Sequence, residues 1–222
     1  MTDGTSPQPG DDGPRGDRPV PGQPNIARVY DYLLGGKDNY QPDREFALGL
    51  VKDTPIVQDI AIENRRFLVR AVRHLTEAGV DQFIDLGSGL PTRENVHEVA
   101  QSINPDARVV YVDNDPVVIA HSRALLHLND HARVVSGDLE HPRTIMHAQE
   151  LRNLIDFRRP VAVLFVAVLH FCADAEAAVA PWREVLVPGS HLVISHAEEG
   201  ERLSRVKDRY QEVLSTGTAR TA

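Results

Sequence analysis

Between Val80 and Ser195 the chain alternates short apolar runs with stretches whose apolar residues recur at helical spacing. That alternation narrows the fold more than any other feature. The runs are residues 81–86, 107–112, 132–135, 161–168 and 191–195. Between them, 92–103 repeats Val96, Val99, Ala100 and Ile103, 116–128 opens on Pro116, 142–155 carries Ala148, Leu151 and Ile155, and 174–186 carries Ala178, Val179, Trp182 and Val185. Strands alternating with helices predict an α/β fold, a doubly wound, mostly parallel sheet covered on both faces. The uninterrupted run VAVLFVAV at 161–168 suits a central strand. In such a sheet ligands gather at the carboxyl ends of the strands, beside the point where strand order reverses. Asp85, Asp113, Asp138 and His170 all fall at those ends.

The first strand leads into the stretch DQFIDLGSGLPT, residues 81–92. An acid at the strand tip, Asp85, precedes a turn built on Gly87, Ser88 and Gly89, with a helix start expected at Pro91-Thr92. Glycine tolerates positive φ and lets a ligand lie against bare backbone, and a helix start turns unpaired N–H groups toward the same place. A dinucleotide fingerprint would need a third glycine where Thr92 stands. The Asp85 carboxylate would also repel a pyrophosphate. It suits an ammonium instead, such as the one on the amino-acid tail of S-adenosylmethionine.

Composition sets wide bounds. The 222 residues are 41% hydrophobic and 25% charged, ordinary for a globular chain with a real core. A net charge of −8 disfavours a general nucleic-acid binder. One cysteine, Cys172, leaves no internal disulfide and no cysteine zinc cage. No apolar run reaches membrane-spanning length and residues 1–24 lack a signal-peptide core, so a cytoplasmic location is expected.

The organisation ahead of the alternating region has three parts. Residues 1–24, rich in Pro and Gly, read as a disordered tail. Asn25 then caps a helix whose stripe is Ile26, Val29, Tyr30 and Leu33, stopped by Gly35-Gly36. Lys37-Asp38-Asn39-Tyr40 reads from spacing alone as a solvated loop, and a second helix is expected from about Pro55 to Ala78. A final helix is expected over about 199–214, with 215–222 a tail. The divisions are thus 1–24, 25–79, 80–214 and 215–222.

Asp113 at the second strand tip can accept two ribose hydroxyls, and Asp138 at the third can accept an adenine amine. Each alone is more often a turn residue or helix cap. Together with the first turn they resemble class I S-adenosylmethionine-dependent methyltransferases. Asp85-Leu86-Gly87-Ser88-Gly89 looks like the first motif, Val112-Asp113-Asn114-Asp115-Pro116 like the ribose motif, Gly137-Asp138-Leu139 like the adenine motif, and Leu186–Leu192 like the turn before the fifth strand. More narrowly, ARVYDYLLGGKDNY, ENRRFLVRAVR, GLPTRENVHEVAQ and VVYVDNDPVV resemble a family of candidate methyltransferases common in actinobacteria and long catalogued as a domain of unknown function.

The resemblance implies a Rossmann-like methyltransferase fold and S-adenosyl-L-methionine as cofactor. Asp85, Gly87, Ser88 and Gly89 would hold its methionine portion, Asp113 and Asn114 its ribose and adenine, and Asp138 and Leu139 would border the base. Ala167 to His170 would border the methyl group. Tyr32, Lys37, Asp38, Asn39 and Tyr40 would lie over the pocket as a lid or substrate wall. His170 is the candidate general base, with Tyr40 and Lys37 as alternatives on the lid, although a wall residue or capped core histidine is the commoner reading of such a residue. Pro91 replaces the last glycine of the common first motif, a departure the narrower family shares. The usual last two strands are also lacking, so either a fragment, or a second copy or a partner that covers the fifth-strand edge, is expected.

Other motifs lead nowhere. His97-Glu98 begins like a zinc-protease helix, but Gln101 stands where the second histidine belongs, and both are expected on a wet helix face. No metal site is expected. Three functions stay open: a methyltransferase for a small-molecule acceptor, a non-catalytic S-adenosylmethionine-binding sensor or accessory protein, and, more distantly, a nicotinamide oxidoreductase.

Overall fold

The computed structural model of the protein describes residues 23–92, 94–197, 206 and 208–210. The expected tails at 1–24 and 215–222 and the helix near 199–214 lie outside these residues, apart from Gln23, Pro24 and the helical Val206 and Asp208–Tyr210.

Five parallel strands form one sheet in the order β3-β2-β1-β4-β5. They are β1 (Gln82–Leu86), β2 (Arg108–Asp113), β3 (Ala132–Ser136), β4 (Ala162–Val166) and β5 (His191–Ser195). Strand order reverses between β1 and β4, so the crevice at their carboxyl ends opens there. Register pairs Asp85 with Tyr111 of β2 and Leu164 of β4. Among the described residues β5 pairs only with β4, and Ile194 on it is exposed.

The strand period of two sends alternate residues to two cores. On one face Phe83, Val109 and Leu164 meet α3 (Val57–Glu77), α4 (Val96–Gln101) and α5 (Pro116–Leu126) through Val72, Val99 and Ile119. On the other, Ile84, Val110 and Phe165 meet α6 (Pro142–His147), α7 (Gln149–Leu154) and α8 (Ala175–Val185) through Ile145, Leu151 and Trp182. Fully buried side chains such as Phe83, Ile84 and Phe165 each contribute roughly 1.5–3 kcal/mol. A third cluster joins α1 (Ile26–Leu33), α2 (Gln41–Asp53) and the start of α3 through Val29, Leu33, Leu50 and Ala61. The long α3 therefore belongs to both the N-terminal layer and the sheet.

Several elements differ from the sequence reading. Helix α2 occupies residues beyond the expected loop. Asp43 caps its start by accepting the Tyr40 N–H at 2.8 Å, and Ala47 and Leu50 face inward. Helix α4 starts at Val96 rather than Thr92, because Asn95 caps it and Glu98 returns a bond to the Asn95 N–H. The helix expected over 142–155 breaks at Ala148, whose backbone is extended, giving α6 and α7. Strand β4 ends at Val166 because Ala167 turns to φ 53°.

Candidate functional site

A cavity of about 1010 Å³ lies at the carboxyl ends of the strands, roofed by α1 and α3. Its floor starts at the β1 turn. Gly87 and Gly89 have φ of 70° and 65°, the left-handed region that glycine enters without strain. A side chain at position 87 could not be housed, since its Cβ would lie 2.3 Å from Val168 Cγ2. At position 89 a Cβ would meet nothing within 4 Å.

Asp113 fastens this turn to β2. One carboxylate oxygen accepts the Gly89 N–H at 2.9 Å and the other accepts the Asp115 N–H at 3.0 Å. Each oxygen keeps a lone pair for another donor. Burial raises the Asp113 carboxyl, and the backbone donors from Asp115 and Gly89 oppose that rise.

Asp85 lies on the sheet face turned toward α3, only 5% exposed. Burial pushes its carboxyl up to about 7, with Arg65 of α3 pulling it down and Asp113 pushing it further up. Behind it, the Tyr111 hydroxyl accepts the His97 N–H at 2.8 Å and pairs with His97 Nδ1 at 2.8 Å. Burial holds His97 below the usual imidazole value. His97 is thus buried against the sheet, contrary to the wet face read from sequence: with the helix capped by Asn95, it falls in a first turn packed on β2. The N–H groups of this helix start are likewise engaged by Tyr111 and Glu98 rather than opened toward a ligand.

At the β4–β5 end the Ala167 N–H donates to the Ser195 carbonyl and to its hydroxyl oxygen at 2.9 Å. The Ser195 hydroxyl donates to Asn64 Oδ1 at 2.6 Å, and Asn64 Nδ2 donates to the Tyr30 oxygen at 2.9 Å. Asn64 and Tyr30 both line the cavity. Neither was singled out in the sequence, where each sits on or beside an ordinary apolar stripe.

All the residues assigned to the cofactor from sequence line this one cavity: Asp85, Gly87, Ser88 and Gly89 from the β1 turn, Asp113 and Asn114 from β2, Asp138 and Leu139 from β3, and Ala167 from β4. His170 lines it too. The lid residues do not. Asn39 is buried and donates to Asp31 at 2.8 Å, the Asp38 N–H also binds Asp31, and Tyr40 caps α2. Tyr32, Lys37, Asp38, Asn39 and Tyr40 are absent from the cavity wall, and Tyr30, Leu33, Ile60 and Asn64 stand there instead. Asp31 folds the 35–40 segment back on α1, away from the cavity.

The sequence matches the S-adenosyl methyltransferase family over residues 19–222. The fold is similar to that of a candidate methyltransferase from Thermobifida fusca YX, with 47% identity, TM-score 0.82, and coverage of 86% of this chain and 74% of that one. It is also similar to a DUF574 family protein from Streptomyces avermitilis MA-4680, with 39% identity, TM-score 0.81, and coverage of 86% and 77%. The chain belongs to the S-adenosyl methyltransferase family. No curated protein matches it.

S-adenosyl-L-methionine is the cofactor of that family, and the site fits it. A carboxylate as buried as Asp85, with its carboxyl raised to about 7, wants a further positive charge beside it. The cofactor's ammonium provides one. The open space over Gly89 leaves the backbone accessible to the same ligand.

Proposed function

We propose that this family member is a methyltransferase acting on a small-molecule acceptor. The carrying observation is that the acids of three successive strand tips, Asp85, Asp113 and Asp138, border the same cavity as the α1–α3 roof. Bound there, S-adenosylmethionine supplies an electrophilic methyl carbon. Asp85 holds the ammonium, Asp113 and Asn114 the ribose, and Asp138 with Leu139 the base, with Gly87, Ser88 and Gly89 supplying the turn beneath. Ala167 to His170 border the reacting end. Helices α1 and α3 keep water out and hold the acceptor in line, and such positioning can supply effective molarities of roughly 10⁵ M or more. A ring nitrogen of His170 takes the proton where the acceptor must lose one.

Calorimetry with S-adenosylmethionine, S-adenosylhomocysteine and NAD tests the cofactor assignment, with binding of the first two expected. Binding of NAD alone overturns it. Release of S-adenosylhomocysteine in the presence of an acceptor separates an enzyme from a non-catalytic binder.

A further inference from the structure

The cavity has two chemically different halves. Its carboxylates, Asp85, Asp113, Asp115, Asp138 and Glu140, all come from the strand tips and the loops after them. The half under the roof is walled by Ile26, Leu33, Val57, Ile60 and Ala61. Beside these runs a chain of rings in mutual edge-to-face or tilted contact. Phe46 meets Tyr210 at 5.8 Å and 63°, Tyr210 meets Phe171 at 5.6 Å and 73°, Phe171 meets His170 at 4.2 Å and 51°, and His170 meets His196 at 5.6 Å and 88°. The last four of these rings line the cavity.

We propose that this half binds a neutral, planar aromatic small molecule carrying a hydroxyl, as the methyl acceptor. The inference rests on the methyltransferase reading and names its substrate class. Size permits it: about 1010 Å³ exceeds the ~300–1,000 Å³ typical of a pocket for one small ligand. Ring geometry selects it, because offset and edge-to-face partners extend an aromatic array in a way a saturated ring cannot. Charge selects it as well. Among the described lining residues Arg65 is the only lysine or arginine. It bonds the Glu94 carbonyl and Asn95, and its charge acts on Asp85, so an anionic acceptor meets no cation under the roof. A cationic acceptor would sit beside the positive charge of the donor. The hydroxyl is directed to the polar end of the ring chain, the imidazoles of His170 and His196.

The test uses the full chain with saturating S-adenosylhomocysteine and follows the fluorescence of 2-naphthol. Saturable binding is expected. Phe171→Leu should weaken it roughly two- to tenfold while S-adenosylhomocysteine affinity and melting temperature stay unchanged. Decahydro-2-naphthol, 2-naphthalenesulfonate and 2-naphthylmethylamine, measured by competition, should each bind more weakly than 2-naphthol. The proposal is overturned if the saturated or a charged analogue binds as tightly as 2-naphthol, or if Phe171→Leu leaves 2-naphthol binding intact. Binding of S-adenosylhomocysteine with no binding of 2-naphthol overturns the substrate class and leaves the methyltransferase reading standing. Binding of 2-naphthol without any binding of S-adenosylhomocysteine removes the acceptor role together with that reading.

Discussion

Ser195, the last residue of β5, donates its hydroxyl to Asn64 of α3 at 2.6 Å, joining positions 131 residues apart. The same hydroxyl oxygen receives the N–H of Ala167, a non-glycine residue held at φ 53°. Through Asn64 and Tyr30 the bond ties the end of the sheet to the helical roof.

Asn64→Ala should therefore lower stability by about 1–2 kcal/mol, since the Ser195 hydroxyl loses its acceptor and the Tyr30 oxygen loses one donor in a half-buried setting. Urea unfolding of Asn64→Ala, Ser195→Ala and the double variant checks this. Coupling between the two changes should be clearly non-additive. Strictly additive losses would show that the tie carries no energy.

Asp85 makes both stability and cofactor affinity depend on pH. Its folded carboxyl, near 7, lies above the ordinary aspartate value of 3.8. The fold therefore favours the protonated form. That contribution is complete below about pH 4 and is lost as pH rises toward 7, with a slope of up to about 1.4 kcal/mol per unit. Asp85→Asn should flatten that part of the stability profile. Binding runs the other way, because the cofactor ammonium needs the ionised form. Affinity for S-adenosylhomocysteine should fall about tenfold for each unit below pH 7, and binding at pH 7 should release about half a proton per site, measurable by calorimetry in buffers of different ionisation enthalpy.

The two glycines of the β1 turn should respond differently to alanine. Gly87→Ala meets both a positive φ and Val168 at 2.3 Å, so the β1 turn or Val168 must shift. Gly89→Ala meets only the conformational penalty, about 1–2 kcal/mol, because its Cβ points into open space. Thermal melts should rank Gly87→Ala as the less stable protein. Calorimetry should show Gly89→Ala folded but weakened for the cofactor, whose approach its new methyl obstructs.

Asp43 organises the N-terminal layer. Fully buried, it accepts the Asn25 N–H at 2.8 Å, Arg28 Nε at 2.7 Å and the Tyr40 N–H at 2.8 Å. Asp43→Ala leaves the buried Arg28 charge without this partner, a loss of about 3–5 kcal/mol. Hydrogen exchange should show α1 and α2 losing protection ahead of the strands. Uniform loss across the sheet would instead mean that the roof and the sheet unfold as one unit.

The strand–helix alternation, the parallel sheet and the gathering of Asp85, Asp113 and Asp138 were legible because each rests on local spacing and on the rule for strand ends. Helix α2 was not, because its buried Asp43 breaks the apolar stripe and makes the segment read as polar. Its available signals were Pro42 near the start and Phe46, Ala47, Leu50 and Val51 at helical spacing. The 37–40 segment read from spacing alone as a solvated loop, and the family resemblance made it a lid. The bonds it makes to the buried Asp31 of α1 place it elsewhere. Asn64, Tyr30 and the ring chain were hidden because their meaning comes from contacts between elements far apart in sequence.

Helix α3 is one continuous rod of 21 residues, its first turns forming ceiling and its later turns embedded against the sheet. Val57, Ile60 and Ala61 thus occupy the cantilevered end of a beam whose other end is clamped. Exchanging those three side chains one at a time would reshape the cavity wall, but tilting the beam itself would pry open the centre of the molecule.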